Sequence, residues 1–118
     1  MPVHDFICTK KEHIPDALQF YPEKQLLGSE MRHIAVKDLW VRKYGDLFAD
    51  LKCFSNSLDR ETDRLAYHGI TIMPPESGRK LLRRIRQKEW MARMRFAKLQ
   101  KLLRISSDQD YYIVHFGI

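Results

Sequence analysis

Residues 79–104 hold eleven basic residues against a single acid, Glu89, and interleave them with apolar residues at helical spacing. At about 100° per residue, Leu81, Leu82, Ile85, Ala92, Phe96, Leu99 and Leu103 fall on one stripe about 100° wide, the pattern of a helix laid on a core. The spacing predicts a helix over 76–103. Pro74 and Pro75 suit its first turn, where a missing N–H costs nothing, and Glu76 complements the positive end of its dipole. Glu89 is the one violation of the stripe. It predicts either a bend at Gln87, Lys88 and Glu89 or a basic partner for the carboxylate.

The segments on either side of this helix favour strands. Residues 65–72 are rich in β-branched and aromatic side chains, with a bulge expected at Gly69, and residues 111–116 form a second such run after a turn over 106–110. Strand, helix and strand in succession suggest a right-handed crossover between parallel neighbours. Upstream, residues 5–9 and 32–36 read as short strands. Pro15 and Pro22 limit any helix between them, and a short helix over 23–27 would end at Gly28. From Asp38, a candidate N-cap, the residues Trp40, Tyr44, Leu47, Phe48, Leu51 and Phe54 recur at three- and four-residue spacing and predict a second amphipathic helix over 38–54. Arg42 and Asp46 would pair across one turn of it, and Gly45 would cost it about 1 kcal/mol relative to Ala. Residues 55–63 read as a polar connection. The fold class is α/β or α+β: a single domain over 1–118 with about four short strands and two long amphipathic helices.

At 118 residues and 44% hydrophobic, the chain has room for one core and enough apolar side chain to form it. Charges interrupt every apolar run, so no membrane span is expected, and the opening residues lack the pattern of a secretory signal. No lipidation motif is recognised. Cys8 and Cys53 are too few for a disulfide scaffold and read as reduced, buried thiols, which makes the cytoplasm the default location. The formal net charge of +6 is unevenly spread. Residues 1–78 carry ten basic and twelve acidic side chains, residues 79–104 eleven and one, and residues 105–118 none and two, so the segments sum to −2, +10 and −2. The chain is a mildly acidic body with one strongly basic segment.

Arg79, Arg83, Arg86, Arg93, Lys98 and Lys101 lie on the side of the helix away from the stripe, with Trp90 and Met94 among them and Met91 beside them. This set is the candidate site for a partner or a nucleic acid. In one reading the helix is sandwiched, Trp90 and Met94 being covered by the N-terminal segment. In a second, the set is a protein interface, since Trp, Met and Arg are enriched where interfaces are energetically dense. The chain is then a small non-enzymatic cytoplasmic protein-binding domain, either self-associating or neutralising a toxin as an immunity or antitoxin-type protein does. The alternative is RNA or DNA binding through helix 79–104, with the cations on phosphates and the indole stacked on a base.

Catalytic and cofactor signatures are sparse. No P-loop, dinucleotide fingerprint or G-x-S-x-G elbow occurs, and the five histidines fit no metal-binding spacing, so neither cofactor nor metal is expected. Cys8 with His13, and Asp108 with Asp110, make only weak nucleophile and cation sites. The best enzymatic constellation is His68 with His115, which would approach each other if their strands pair and could serve as acid and base in phosphodiester cleavage. An enzyme is the less favoured class.

Overall fold

A computed structural model describes residues 2–18 and 32–118; the helix expected over 23–27 lies outside the described residues. The strands are β1 (Val3–Thr9), β2 (Arg32–Lys37), β3 (Cys53–Ser55), β4 (Glu61–Thr62), β5 (Ile70–Met73) and β6 (Tyr112–Phe116). The helices are α1 (Ile14–Ala17), α2 (Asp38–Lys43), α3 (Pro75–Arg86), α4 (Trp90–Arg95) and α5 (Ala97–Gln109), with single 3-10 turns at Lys11–His13 and Gly45–Phe48. All six strands join one antiparallel sheet in the order β2-β1-β6-β5-β3-β4. The fold is therefore one small domain of mixed helices and antiparallel sheet, with six strands where about four were expected. Among the described residues, no helix is long and apolar enough to cross a membrane.

Strand alternation divides the core. Phe6, Cys8, Met73 and Ile113 point to the face covered by α3 and α5, where they meet Leu81, Ile85, Phe96, Leu99 and Leu103. Ile7, Ile72 and Val114 point the other way, onto Ile14 and Ala17 of α1. Every residue of the predicted stripe is buried. The edge strand β2 leaves Arg32, His33 and Lys37 exposed, and such charges deter further strand pairing.

The long basic helix is three helices. Gln87 closes α3, and Glu89 adopts extended backbone, φ −62° and ψ 163°, before α4 begins. The first expectation for Glu89 holds, since the helix unwinds at the carboxylate; in place of the expected basic partner it takes the Tyr44 hydroxyl, which donates to it over 2.8 Å.

The break changes the topology. Arg79 at the start of α3 donates to the Ser107 carbonyl, 2.8 Å away near the end of α5, so the two helices run antiparallel. One helix would return the chain for a parallel strand; two return it to the end of the sheet it left. β5 and β6 are accordingly neighbours but antiparallel, with Thr71 opposite His115, and not the expected parallel crossover.

The second predicted helix is also shorter than 38–54. It ends at Tyr44, whose φ of −111° and ψ of 38° leave the helical region just before Gly45, and residues 53–55 enter the sheet as β3. Its apolar periodicity is real, since Tyr44, Leu47, Phe48 and Leu51 are all buried, but a 3-10 turn and a strand satisfy it equally well. Asp38 is the first helical residue and makes no N-cap bond. Arg42 pairs back to Asp38, while Asp46 pairs with Lys88, so the expected Arg42–Asp46 bridge is absent. Residues 65–69 stay irregular, and Gly69, at φ 102°, turns the chain into β5. The turn predicted over 106–110 is mostly helix: α5 continues to Gln109, and Asp110 closes it in the left-handed conformation.

Candidate functional site

The break at Glu89 sets the orientation of α4. Ala92 and the following Phe96 are fully buried and anchor it to the core. With that face fixed, Trp90, Met91 and Met94 point outward at 62%, 36% and 50% exposure. Trp90 and Met94 are four residues apart and Met91 and Met94 three, so the side chains adjoin on one helix surface. No described part of the N-terminal segment, residues 2–18, covers them. A Trp and two Met side chains are thus exposed side by side on one short helix.

The cations around this patch divide into two groups. Five are used by the fold: Arg79 binds the Ser107 carbonyl and the Asp110 carboxylate, Lys80 the Asp50 carbonyl, Arg84 the carbonyls of Leu47, Ala49 and Asp50, Lys88 the Asp46 carboxylate, and Arg95 lies 4.3 Å from the centre of the Trp40 ring. Arg84 caps carbonyls that the 3-10 turn leaves unpaired, and the Lys88 ammonium holds the Asp46 carboxyl below its usual range. Arg83, Arg86, Arg93, Lys98, Lys101 and Arg104 make no hydrogen bond or ion pair among the described residues. Acids thus neutralise two of these cations, Asp46 pairing with Lys88 and Asp110 with Arg79, and Arg79 is the one predicted site residue so engaged.

A second constellation joins β1, β6 and the start of α2. His4, His115 and Asp38 are buried together: His4 Nδ1 is 2.8 Å from His115 Nε2, and His4 Nε2 is 2.9 Å from Asp38 Oδ1. The Tyr67 hydroxyl donates to Asp38 Oδ2 over 2.7 Å, and Arg42 reaches the same oxygen at 2.9 Å. Burial works to raise the Asp38 pKa, but the hydrogen bonds from Tyr67 and His4 and the charges of Arg42 and His4 outweigh it, so the carboxyl sits below its usual range. The same bond pushes the Tyr67 phenol up. Burial, aided by His4, lowers the His115 pKa to about 3, which keeps that imidazole neutral. Its Nδ1 is buried without a hydrogen-bond partner.

This placement bears on the His68–His115 pair. The strands pair as the constellation required, yet His68 precedes β5, is exposed, and lies with Nδ1 3.0 Å from the Ile118 carbonyl oxygen. The ring against His115 is His4. A buried, neutral His115 with Nε2 already engaged has no open side on which to take a substrate proton.

Sequence reasoning missed His4, Asp38 and Tyr67 because they come from a strand, a helix start and a loop whose positions follow no motif spacing. No group of three or more His, Cys, Asp or Glu able to hold a metal occurs among the described residues. Compared with known proteins, the chain matches no family model, no curated protein and no solved structure.

Proposed function

We propose that the chain is a protein-docking domain whose contact face is α4, with Trp90, Met91 and Met94 as apolar anchors and Arg86, Arg93, Lys98 and Lys101 as a basic surround. The observation that carries this reading is the 62% exposure of Trp90 beside two exposed methionines. Indole and thioether side chains gain most from burial against another apolar surface, and an aromatic anchor ringed by Arg is the usual make-up of an energetic centre. The partner's surface is acidic. A second copy of this chain would bring a +10 segment against its like, and the repulsion disfavours self-association. Neutralising an acidic toxin, as an immunity or antitoxin-type protein does, is one form this docking would take. The work is placed in the cytoplasm, where Cys8 and Cys53 stay reduced.

The test is a comparison of wild type with Trp90→Ala. Each is used as bait, the partner retained by the wild type is identified and purified, and binding is measured with the two pure proteins. Loss of one buried Trp anchor is expected to weaken a one-to-one complex by about 2 kcal/mol or more, near thirtyfold. Equal affinity for the two baits would overturn the reading. The six cations without partners favour nucleic acid as the second reading. It predicts instead binding to a single-stranded oligonucleotide that collapses with salt and fails in Arg83→Glu with Arg93→Glu.

A further inference from the structure

We infer that the cleft between α3 and α5 is a phosphate subsite, taking a phosphate ester on the guanidiniums of Arg83, Arg86 and Arg104. The cleft encloses about 400 Å³ and is completed by Arg79, Leu82, Ser107 and Asp108. No residue of α4 lines it, Arg86 being the one residue it shares with the basic surround of the docking face, and it stands whether or not Trp90 binds a partner.

One arrangement leads there. Arg83, Arg86 and Arg104 come from two helices, line one concavity, and make no hydrogen bond or ion pair among the described residues. Like charges brought together in a cleft repel, and a bound anion removes that cost. The nearby acids do not serve: Asp110, outside the lining, is taken by Arg79, and Asp108, the one acid of the lining and four residues beyond Arg104 on the same helix, makes no ion pair with it. Against three uncommitted guanidiniums Asp108 leaves the cleft net positive.

The chemistry selects phosphate over carboxylate. A tetrahedral anion presents oxygens in several directions at once, as donors arriving from two antiparallel helices require, and guanidinium forks match pairs of those oxygens. The volume exceeds what inorganic phosphate fills, so there is space for the esterified group. Arg79, tied to the Ser107 carbonyl, holds the two helices in register across the cleft. The phosphate's source is either a small phosphorylated metabolite or a nucleic-acid strand.

The experiment titrates the full chain calorimetrically with inorganic phosphate, with a nucleoside monophosphate, and with a labelled single-stranded oligonucleotide. Saturable one-site binding of phosphate is expected, weakened about tenfold or more in Arg83→Gln with Arg104→Gln and several-fold in Arg83→Gln alone. Arg60→Gln, which removes one positive charge as Arg83→Gln alone does but lies outside the cleft lining, and Trp90→Ala are expected to bind as wild type does. Tighter binding of the nucleoside monophosphate with none of the oligonucleotide assigns the site to small esters; oligonucleotide binding displaced by phosphate assigns it to a strand. Both replaced arginines are exposed, and Arg83→Gln alone gives the same reading if the double variant unfolds. Absence of saturable phosphate binding up to about 10 mM, an affinity weaker than about −3 kcal/mol, overturns the proposal. So does an equal loss in Arg60→Gln, which would mean that only net charge was felt.

Discussion

His115 and Trp90 are the two residues whose environments depart most from what their types imply. His115 is an ionisable side chain kept neutral in the core, its pKa lowered from 6.5 to about 3 by burial and by His4. An unfolded chain would take up a proton there below about pH 6.5 while the folded one would not. Stability from this residue is therefore fully present above that pH and lost as pH falls toward 3, by about 1.4 kcal/mol per unit. Between pH 7 and pH 5 the wild type should lose about 2 kcal/mol in urea unfolding on this account, and His115→Phe should lose correspondingly less. Identical losses in the two proteins would show that His115 is not the group responsible. Trp90 presents the opposite case, a large apolar side chain in water, so Trp90→Ala should leave thermal unfolding within about 0.5 kcal/mol of wild type. A larger loss would mean that the indole is part of the core. Sequence spacing placed Trp90 off the buried stripe correctly. It carried no sign of the His4–His115–Asp38 contacts, because residues brought together by a sheet register and a helix start share no periodicity.

At the scale of elements, the apolar stripe of residues 81–103 was legible residue by residue, and so were the cores of β1, β2 and β6. What periodicity did not decide was continuity. The same stripe serves one long helix or three, and the outcome turned on Glu89, whose carboxylate is held by Tyr44 of another element. Residues 44–51 show the same ambiguity: buried positions at three- and four-residue spacing suit an α-helix, yet a 3-10 turn followed by extended chain buries them too. The irregular segment before β5 is held by the end of β6, since Gly117 N–H donates to the Gly69 carbonyl and Ile118 N–H to the Tyr67 carbonyl. A Cβ at Gly117 would overlap the Tyr67 carbonyl oxygen, which is backbone and cannot rotate away. Gly117→Ala should accordingly cost about 1–3 kcal/mol, read as a lower urea midpoint, with the loop over 65–69 the first to lose amide protection. Unchanged stability would show that the two segments are not in that contact.

For the whole molecule, the layered arrangement isolates both thiols. Burial pushes Cys8 and Cys53 up to about 12, against a slight pull from Arg32 on the first and with a further push from Asp63 on the second. Neither carries useful thiolate at neutral pH, so a disulfide reagent should label neither in the folded protein and both in urea, with native labelling no faster than global unfolding. Rapid labelling of one thiol would place it outside the core. Charge is likewise settled at this scale. The amino-acid sequence by itself determined which side chains are apolar and at what period, and hence the core stripe, the strand-forming runs, the single domain and the concentration of +10 in one segment. Those are local properties, fixed by residue type and spacing. Only the tertiary structure decided that the chain doubles back at Glu89, because that depends on a hydroxyl supplied from 45 residues away. From that reversal follow the antiparallel β5–β6 pair, the cleft between α3 and α5, and the outward turn of Trp90. It also decided which cations pair with acids and which have no partner among the described residues, since an ion pair depends on distance in space and a count of charges along the chain does not.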